Sequence, residues 1–443
     1  MVREINKKRM AVCTLGCKVN QNETDAMVSS LLQAGFQEVP FEEKADLYLI
    51  NTCTVTHLAD RKSRQMVRRA IKNNPSAMVV VTGCYAQTAP GDVLEILGVD
   101  LVIGTQDRHR LVSLLEEVKS AREPLNAVKD IMLTNSFEEI TEEELQPHMV
   151  RAYLKIQEGC NQYCSYCIIP YARGPVRSRP LKRVMEAAEQ LVSAGYKEII
   201  LTGIHTGAYG IDLRPPMDFF GLVQELHRIT ALKRLRISSL DPNEINDDLI
   251  QLMGESTILC PHLHIPLQSG DDGVLLRMNR PYDKDYYLSL IKRLRNELPE
   301  IALTTDIMVG FPGETDEAFQ NTYDLIAQIG FSGLHVFKYS PRKGTPAASY
   351  PEQIAPQVKE ERSRRLIALG EESARRYAVK YLGSTLEVLV EQTVEVKGTT
   401  YWEGHSDNYL KILFPGNNNY KGQIVSVSLD HYQNGVILGH LNK

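Results

Sequence analysis

Three cysteines lie within eight residues near the middle of the chain, and they restrict what this segment can fold around. The segment reads Cys160-Asn-Gln-Tyr-Cys164-Ser-Tyr-Cys167, a C-x3-C-x2-C spacing. An odd number of thiols cannot all pair into disulfides, and a closed zinc site or a ferredoxin-type cluster needs a fourth ligand. The next cysteine along the chain is Cys260. These motif cysteines favour a [4Fe-4S] cluster with one iron left open for a small molecule; a zinc knuckle with a distant fourth ligand is the alternative.

Composition and charge limit the partners and the cellular location that we expect for a protein with such a site. The chain of 443 residues is long enough for two or three domains, and its formal charge is −5 with a pI of about 6.2. Contact with nucleic acid must therefore come from local basic patches. We expect no signal peptide and no membrane span, because no apolar run approaches the roughly 20 residues that a span requires. A cytoplasmic protein with eight cysteines suggests metal before disulfides.

Strands and helices alternate from residue 8 to about residue 120, which predicts a parallel sheet with helices on both faces. The predicted strands are Arg9–Leu15, Ala45–Asn51, Ala77–Thr82 and Asp100–Ile103, and the predicted helices are Asn22–Ala34 and His57–Asn73. Cys17, Cys53 and Cys84 each follow one of the first three strands. The carboxyl ends of parallel strands meet at one edge of a sheet, so we expect these strand-end cysteines to converge on a second metal site. Cys13 falls inside the first strand and is interpreted as a core thiol.

Two basic stretches are candidates for contact with RNA. The helix His57–Asn73 carries a row of basic side chains at i, i+3, i+7 and i+11, which is one face: Arg61, Arg64, Arg68 and Lys72. No acid lies within this row, so i,i+4 ion pairs do not explain it, and both a solvated face and a phosphate contact remain open. The second stretch follows the motif cysteines and includes Arg177 and Arg179, whose planar guanidinium groups suit phosphate.

Residues 148–378 show six strand–loop–helix units. The predicted strands are Ala152–Gln157, Glu198–Thr202, Arg234–Ser238, His262–Pro266, Ala302–Val309 and Gly333–Tyr339. The predicted helices include Val184–Ala194, Phe219–Ile229, Tyr286–Asn296 and Asp316–Ile329. Six units are two short of a full (β/α)8 barrel, in which the chemistry sits in the loops after the strands. The motif cysteines follow the first strand, as that rule expects.

The flanking segments differ in character. Residues 121–147 lack periodicity and contain the acidic run Glu138–Glu144, which we interpret as part of a solvated linker. After a helix predicted at Glu352–Tyr377, residues 379–443 predict a small all-β barrel. Its predicted strands are Leu386–Glu391, Tyr409–Phe414, Gln423–Leu429 and Gly435–Leu441. Its aromatic residues fit either base stacking or the barrel core; they are Tyr401, Trp402, His405 and Tyr409.

The string Cys160–Gly174, CNQYCSYCIIPYARG, resembles the methylthiotransferase branch of the radical S-adenosylmethionine enzymes. The resemblance implies that the motif cysteines hold a [4Fe-4S] cluster that generates a 5′-deoxyadenosyl radical from S-adenosylmethionine. It also implies that the strand-end cysteines hold an auxiliary [4Fe-4S] cluster, again with an open iron, that delivers sulfur. The reaction replaces an unactivated C–H bond by C–S–CH3. That C–H bond offers no acid, base or leaving group for polar catalysis, so a radical is chemically required.

The same resemblance assigns domains and cofactor contacts. It makes residues 8–120 a methylthiotransferase N-terminal domain, residues 148–378 a partial (β/α)6 radical S-adenosylmethionine barrel, and residues 379–443 a TRAM-like RNA-binding domain. The implied contacts of S-adenosylmethionine are Tyr166 beside the adenine, Thr202 and Gly203 at the amino group, Ser239 and Gln268. In the family, the loop after this strand usually carries an acidic residue or two glycines; Thr202 and Gly203 occupy that position here. The remaining candidates are interpreted as polar or core residues without a catalytic role: His205, His262, His264 and Cys260.

The segments LGCKVN, NTCTVT and GCYAQ are most similar to the branch that acts on C2 of N6-threonylcarbamoyladenosine, at position 37 beside the anticodon of tRNA. One alternative is the same chemistry on N6-isopentenyladenosine in tRNA. Another is an aspartate of a ribosomal protein, although that branch has Pro-Lys after the first cysteine where Lys18-Val19 stands here. A non-catalytic RNA-binding metal protein is the alternative from another class. The implied partners are the anticodon stem-loop of tRNA, an external electron donor and a sulfur donor.

Metal analysis separates these interpretations. After anaerobic reconstitution with iron and sulfide we expect about eight irons per chain, since each cluster contributes four. The measurement is iron, sulfide and zinc content per chain. Two zincs per chain without iron would favour the non-catalytic metal protein.

Overall fold

The computed structural model describes residues 8–140 and 150–442, so residues 141–149, which include the end of the predicted linker, lie outside the described residues. Its first part is a parallel sheet in the order β2-β1-β3-β4-β5-β6. The strands are β1 (Lys8–Thr14), β2 (Phe36–Val39), β3 (Leu47–Thr52), β4 (Met78–Gly83), β5 (Leu101–Val102) and β6 (Leu125–Asn126). The helices are α1 (Lys18–Gln33), α2 (His57–Asn73), α3 (Cys84–Thr88), α4 (Pro90–Leu94) and α5 (Leu111–Ala121). Apolar clusters fill both faces, which confirms the α/β prediction.

The central part is a partial barrel. Its strands are β7 (Ala152–Lys155), β8 (Gln157–Glu158), β9 (Arg177–Ser178), β10 (Glu198–Thr202), β11 (Arg234–Ile237), β12 (His262–His264), β13 (Ala302–Val309) and β14 (Gly333–Lys338). Its helices are α6 (Ile169–Arg173), α7 (Leu181–Ser193), α8 (Phe219–His227), α9 (Asp247–Glu255), α10 (Asp272–Arg277), α11 (Lys284–Glu297), α12 (Asp316–Ile329) and α13 (Pro356–Val379). Bridges Leu235–Leu259 and Ser239–His264 connect the two parallel three-stranded sheets β7-β10-β11 and β12-β13-β14. The predicted six-unit partial barrel is therefore confirmed.

The two faces of this barrel differ sharply. Along β13, Leu303 and Ile307 are fully buried beneath the helices, whereas Thr304, Asp306 and Met308 point to the other face and are half-buried. Strand periodicity places alternate side chains on opposite faces, so the second set faces the barrel interior. We call the space lined by the inner faces of β7 and β10–β14 the lumen. It is polar and partly open.

The C-terminal part is a closed barrel in the order β15-β16-β17-β19-β18, as the all-β prediction expected. Its strands are β15 (Thr385–Val396), β16 (Thr399–Ser406), β17 (Lys411–Phe414), β18 (Ile424–Gln433) and β19 (Val436–Leu441). Strand β16 was missed because its sequence, TTYWEGHS, lacks a clear apolar alternation; pairing with β15 and β17 supplies its stability.

This small barrel docks against the amino ends of the lumen strands. The Arg234 guanidinium donates to the carbonyl oxygens of His405, 3.2 Å, and Glu387, 2.8 Å. The Arg236 guanidinium donates to the carbonyl of Asp407, 2.9 Å, and lies 4.6 Å from the centre of the Tyr409 ring. His405 and Tyr409 therefore face the central barrel, and base stacking on the outer surface is not the role that the structure supports for them.

The N-terminal part contacts both edges of the partial barrel. At the β7 edge, the Asn22 side chain donates to the carbonyl of Tyr153, 2.8 Å. Beyond the β14 edge, the Arg342 guanidinium lies 2.7 Å from both the hydroxyl of Thr54 and a carboxylate oxygen of Asp60. An open six-stranded barrel has a gap between its first and last strands, and the N-terminal sheet covers it.

A buried ion network fixes this arrangement. Glu23 of α1 accepts from Arg173, 2.6 Å, and from Lys155, 2.6 Å, and also pairs with Arg108. Arg173 pairs in addition with Glu158, 3.0 Å. Four of these side chains are 2% exposed or less, and Lys155 is 4% exposed. Despite the cost of burial, the three cations hold the pKa of Glu23 well below its usual range.

The acidic run predicted as solvated begins inside this network. Glu138 is buried and pairs with Arg108, 3.3 Å, and with His109, 2.9 Å. The solvated interpretation is therefore wrong for this residue, because the buried guanidinium of Arg108, from the sheet domain, compensates its charge. Within the described residues, no helix combines the length and the apolarity that crossing a bilayer would demand.

Removing the central acid tests the network. We expect Glu23→Gln to lower the free energy of unfolding by about 3–5 kcal/mol, because it leaves buried cations without their shared partner. Urea denaturation followed by circular dichroism measures the change. Glu42→Gln is the matched control, since Glu42 is an exposed partner of Arg69, and its midpoint should not move measurably. Equal midpoints for both variants would contradict a structural role for the network.

Candidate active site

The motif cysteines occupy the loop between β8 and α6. The Cys160 amide donates to the carbonyl of Gly174, 3.0 Å, and the Cys167 amide donates to the carbonyl of Cys164, 2.9 Å. Gly159 precedes the loop at φ +75°, and a Cβ there would clash with the carbonyl of Pro175. The three thiols therefore lie on one compact turn. Only glycine fits at its start, because the backbone there passes close to the carbonyl of Pro175.

Nitrogen donors point at these sulfurs. The Gln162 amide lies 3.5 Å from the Cys160 sulfur, and the Arg280 guanidinium lies 3.2 Å from the Cys164 sulfur. Asp241 pairs with Arg280 and holds it in place. Donors of this kind suit thiolates that ligate an iron–sulfur cluster, whose reduction potential depends on such hydrogen bonds. The donor set therefore fits a [4Fe-4S] cluster.

His205 is nearer to the cysteines than the sequence indicated. Its Nδ1 lies 3.7 Å from the Cys160 sulfur, and its Nε2 lies 2.5 Å from a carboxylate oxygen of Glu244. Although burial disfavours its charge, the contacts with Cys160 and Glu244 raise the pKa of His205 to about 10. Its partner Glu244 comes from the loop after a different strand, so no local sequence signal connected them.

The strand-end cysteines lie together, as predicted. Their strands are neighbours in the sheet, with Thr14 paired to Asn51 and Asn51 paired to Thr82. Gly16, at φ +106°, places the backbone before Cys17 against the Cys53 side chain.

Exposure differs among these three thiols. Cys17 precedes α1 and is exposed, Cys53 is half-buried and Cys84 is buried. Burial raises the pKa of Cys84 to about 12 and also raises that of Cys53. Among the described residues only these three thiols follow the strand ends of the N-terminal sheet, and three thiols match the donor set of a second cluster with an open iron.

Arg173 connects the two cysteine sets. It ends α6, shortly after the motif cysteines, and its Nε donates to the Cys84 sulfur across 3.1 Å. The same guanidinium pairs with Glu23 and Glu158 in the buried network. One side chain thus ties the motif loop to the strand-end site, and both cysteine sets border the interface of the two domains. In the sequence Arg173 was one arginine among several in a basic stretch.

The residues predicted to contact S-adenosylmethionine lie at the carboxyl ends of the lumen strands. Thr202 ends β10 and Gly203 follows it, Ser239 pairs with His264 beyond β11, and Gln268 pairs with Ile307. The Tyr166 ring packs edge-on against Phe311 at 6.4 Å between centroids. The structure brings these five to the barrel edge that carries the motif loop, while their contact with the cofactor stays a prediction.

The basic face of α2 is mostly accessible. Arg61, Arg68 and Lys72 are exposed, and among the described residues no acid pairs with them. Arg64 is half-buried and donates to the Tyr85 hydroxyl, 3.0 Å. This face remains a candidate phosphate contact.

Two arginines of the second basic stretch, Arg177 and Arg179, are not presented to RNA, which corrects the prediction for them. Arg177 is fully buried and donates to the carbonyls of Arg173 and Pro175, both at 2.9 Å. Arg179 is 5% exposed and makes a two-pronged contact with Glu139, 2.7 and 2.6 Å. These guanidinium groups satisfy carbonyls and a carboxylate inside the protein instead of phosphates.

A polar triad lines the lumen. One carboxylate oxygen of Asp306 lies 3.2 Å from His264 Nε2 and 3.3 Å from His335 Nδ1. Burial opposes its charge, yet the two imidazoles bring the pKa of Asp306 down to about 2. The sequence predicts a strand at His264 but carries no local signal for this contact, which joins β12, β13 and β14.

Two family descriptions match the chain. Residues 9–104 match "Uncharacterized protein family UPF0004", and residues 154–326 match the "Radical SAM superfamily". Among solved structures, the radical S-adenosylmethionine methyltransferase TsrM from Kitasatospora setae superposes with a TM-score of 0.58 at 15% identity, covering 77% of each chain. This likeness shows a shared fold.

Curated relatives extend over nearly the whole chain. The threonylcarbamoyladenosine tRNA methylthiotransferase MtaB of Bacillus subtilis is 46% identical, covering 95% of this chain and 93% of its own length. MtaB of Aquifex aeolicus is 36% identical, with 91% and 98% covered. The tRNA-2-methylthio-N(6)-dimethylallyladenosine synthase of Clostridium perfringens is 32% identical, with 99% and 98% covered.

Thiol labelling tests whether Cys17 is a metal ligand and Cys13 is not. In metal-free protein at pH 8 we expect iodoacetamide to modify the exposed Cys17 much faster than Cys84 or Cys260, because burial raises the pKa of the latter two to about 12 and thiolate is scarce below that pH. Peptide mass spectrometry gives the rate at each site. After metal loading, Cys17 should become protected while Cys13 keeps its rate; equal protection of both would contradict the proposed ligand set.

Proposed function

The chain belongs to the radical S-adenosylmethionine tRNA methylthiotransferases, and from this membership we propose that it methylthiolates C2 of N6-threonylcarbamoyladenosine at position 37 of tRNA. The enzyme uses S-adenosylmethionine and two [4Fe-4S] clusters. The observation that carries the assignment of roles is the meeting of two separate three-cysteine sets at one interface, connected by Arg173. We assign the radical-generating cluster to the motif cysteines and the auxiliary cluster to the strand-end cysteines.

The arrangement suits a reaction in two parts. Cys160, Cys164 and Cys167 would hold the cluster at which S-adenosylmethionine supplies a 5′-deoxyadenosyl radical, and Cys17, Cys53 and Cys84 would hold the cluster that supplies the methylthio group. The protein's own residues hold both sites around one space, and the N-terminal sheet covers the open side of the barrel. Excluding water there protects a reactive intermediate. Gln162 and Arg280 donate toward the sulfurs of the radical-generating site and stabilise their negative charge.

The substrate assignment follows the relatives. Two relatives named for threonylcarbamoyladenosine are 46% and 36% identical, whereas the one named for dimethylallyladenosine is 32% identical. N6-Isopentenyladenosine in tRNA is therefore the second candidate substrate. The exposed row Arg61, Arg68 and Lys72 of α2 and the C-terminal barrel are the proposed contacts with the anticodon stem-loop. An external electron donor and a sulfur donor complete the cycle, and the cytoplasm is its proposed location.

Nucleoside mass spectrometry tests the proposal. The protein is expressed in a bacterium that lacks its own methylthiotransferases, and digested tRNA is searched for the methylthio mass increment. We expect it on threonylcarbamoyladenosine; its appearance on isopentenyladenosine alone would overturn the substrate assignment.

Cys164→Ala should abolish 5′-deoxyadenosine formation, whereas Cys84→Ala should abolish methylthiolation while about four of the irons remain. Continued cleavage of S-adenosylmethionine by Cys164→Ala would contradict the assigned roles.

A further inference from the structure

The polar triad of the lumen brings three side chains of metal-ligand type to one point. One carboxylate oxygen of Asp306 lies 3.2 Å from His264 Nε2 and 3.3 Å from His335 Nδ1. Donor atoms taken one from each of these side chains all lie within 4.8 Å of one another. Two ligands that bind one ion at about 2.1 Å, with a bond angle of about 90–109°, are about 3.0–3.4 Å apart. Both separations from Asp306 fall within that interval.

Paired strands hold the three side chains in this arrangement. Asp306 of β13 is directly opposite His335 of β14, and His264 of β12 is opposite Thr304, two residues before Asp306. Direct and diagonal cross-strand neighbours lie on the same face of a sheet, which here is the lumen face. A site built on adjacent strands keeps its geometry more precisely than a site built on loops.

The Thr304 hydroxyl supports one of the two imidazoles. It lies 2.9 Å from His264 Nδ1, the ring nitrogen that does not face Asp306. Metal-binding histidines usually have a partner on their second nitrogen, and that partner fixes the orientation of the ring. The His264 and His335 rings stack with their centroids 5.4 Å apart, so the second imidazole is held beside the first.

The donor set suits a divalent ion of the zinc class. Two imidazole nitrogens with one carboxylate oxygen are typical of zinc and non-haem iron sites, whereas Mg²⁺ and Ca²⁺ prefer oxygen ligands. The side chain of His335 is 64% exposed and that of His264 is 12% exposed, so an ion can enter from the β14 side. Three protein ligands also leave a coordination position open.

We propose that His264, Asp306 and His335 bind Zn²⁺ or a similar divalent transition-metal ion in the lumen, as a third metal site beside the two cysteine sets. None of the three residues is a candidate ligand of either cluster. The Gln268 amide donates to the Asp306 carbonyl, 2.8 Å, and Ser239 pairs with His264. The ion would therefore lie next to the predicted contacts of S-adenosylmethionine, with its open position available to a donor atom of a molecule in the lumen.

A second group of similar composition is less suited to an ion of its own. His205 lies within reach of Asp241 and Glu244, but its Nδ1 is 3.7 Å from the Cys160 sulfur, so it belongs to the site of the motif cysteines. Asp241 is already paired with the Arg280 guanidinium. The lumen triad has neither a cysteine nor a guanidinium among its printed partners. Hydrogen bonds from protonated imidazoles to Asp306 are the other explanation of the triad.

Zinc content of the cluster-loaded enzyme tests the proposal, because iron then occupies the six cysteines. Wild-type enzyme and the variants D306N, H335Q and T304V are dialysed to equilibrium against increasing free Zn²⁺. Zinc and iron per chain are measured by mass spectrometry, and absorption spectra verify that the clusters are retained. H440Q is the matched control, because His440 pairs with Asp430 at 3.0 Å but belongs to no group of three such ligands within residues 8–140 and 150–442.

We expect wild-type enzyme and H440Q to bind the same extra zinc, about one per chain, with the same Kd. D306N and H335Q should weaken that Kd by at least about 100-fold and T304V by about 10-fold, since loss of a ligand's supporting partner typically costs about 10–100-fold. His335 is exposed, so the H335Q comparison does not depend on whether D306N folds.

Two results would overturn the inference. If the wild-type enzyme takes up no zinc beyond its clusters, hydrogen bonds alone hold the triad. If H335Q takes up as much zinc as the wild-type enzyme, the ion is bound elsewhere. The assay contains no tRNA, so a failure of the proposed substrate assignment leaves its outcome unchanged.

Discussion

The contact of Arg173 with Glu23 is the interaction on which the rest of the site depends. Arg173 belongs to the motif loop and Glu23 to the N-terminal sheet domain, and their 2.6 Å ion pair is completely buried. Because the same guanidinium donates to the Cys84 sulfur, the link that docks two domains also orders the strand-end site. Removing charges of this kind from water is costly, and the cost is offset here by three cations and three carboxylates in mutual contact.

The barrel interior serves a different purpose from its exterior. The outer faces of the strands bury aliphatic side chains under helices and stabilise the fold. The inner faces carry charged and polar residues, and the two other domains close the space from the side and from the amino ends of the strands. Stability and chemistry are therefore assigned to opposite faces of the same strands.

Much of this architecture was predictable from local patterns. Helix α2 and strands β10 and β13 have the predicted bounds, because their apolar periodicity and flanking turns are strong. The convergence of the strand-end cysteines followed from their common position after parallel strands. Contacts between distant segments were not predictable: Glu138 lay in an acidic run, Arg177 in a basic one, and both are buried by partners that the sequence does not mark. Local composition describes a side chain's charge but not the counter-charge that folding brings to it.

The segment between β16 and β17 closes the lumen although it belongs to the small C-terminal barrel. Its carbonyls accept from Arg236, and its Tyr409 ring lies against the floor of the cavity. The depth and polarity of that floor are thus encoded in a domain that carries none of the six cysteines. Substitutions in this one short turn would therefore change the shape and polarity of the floor without altering the loops that carry the cysteines.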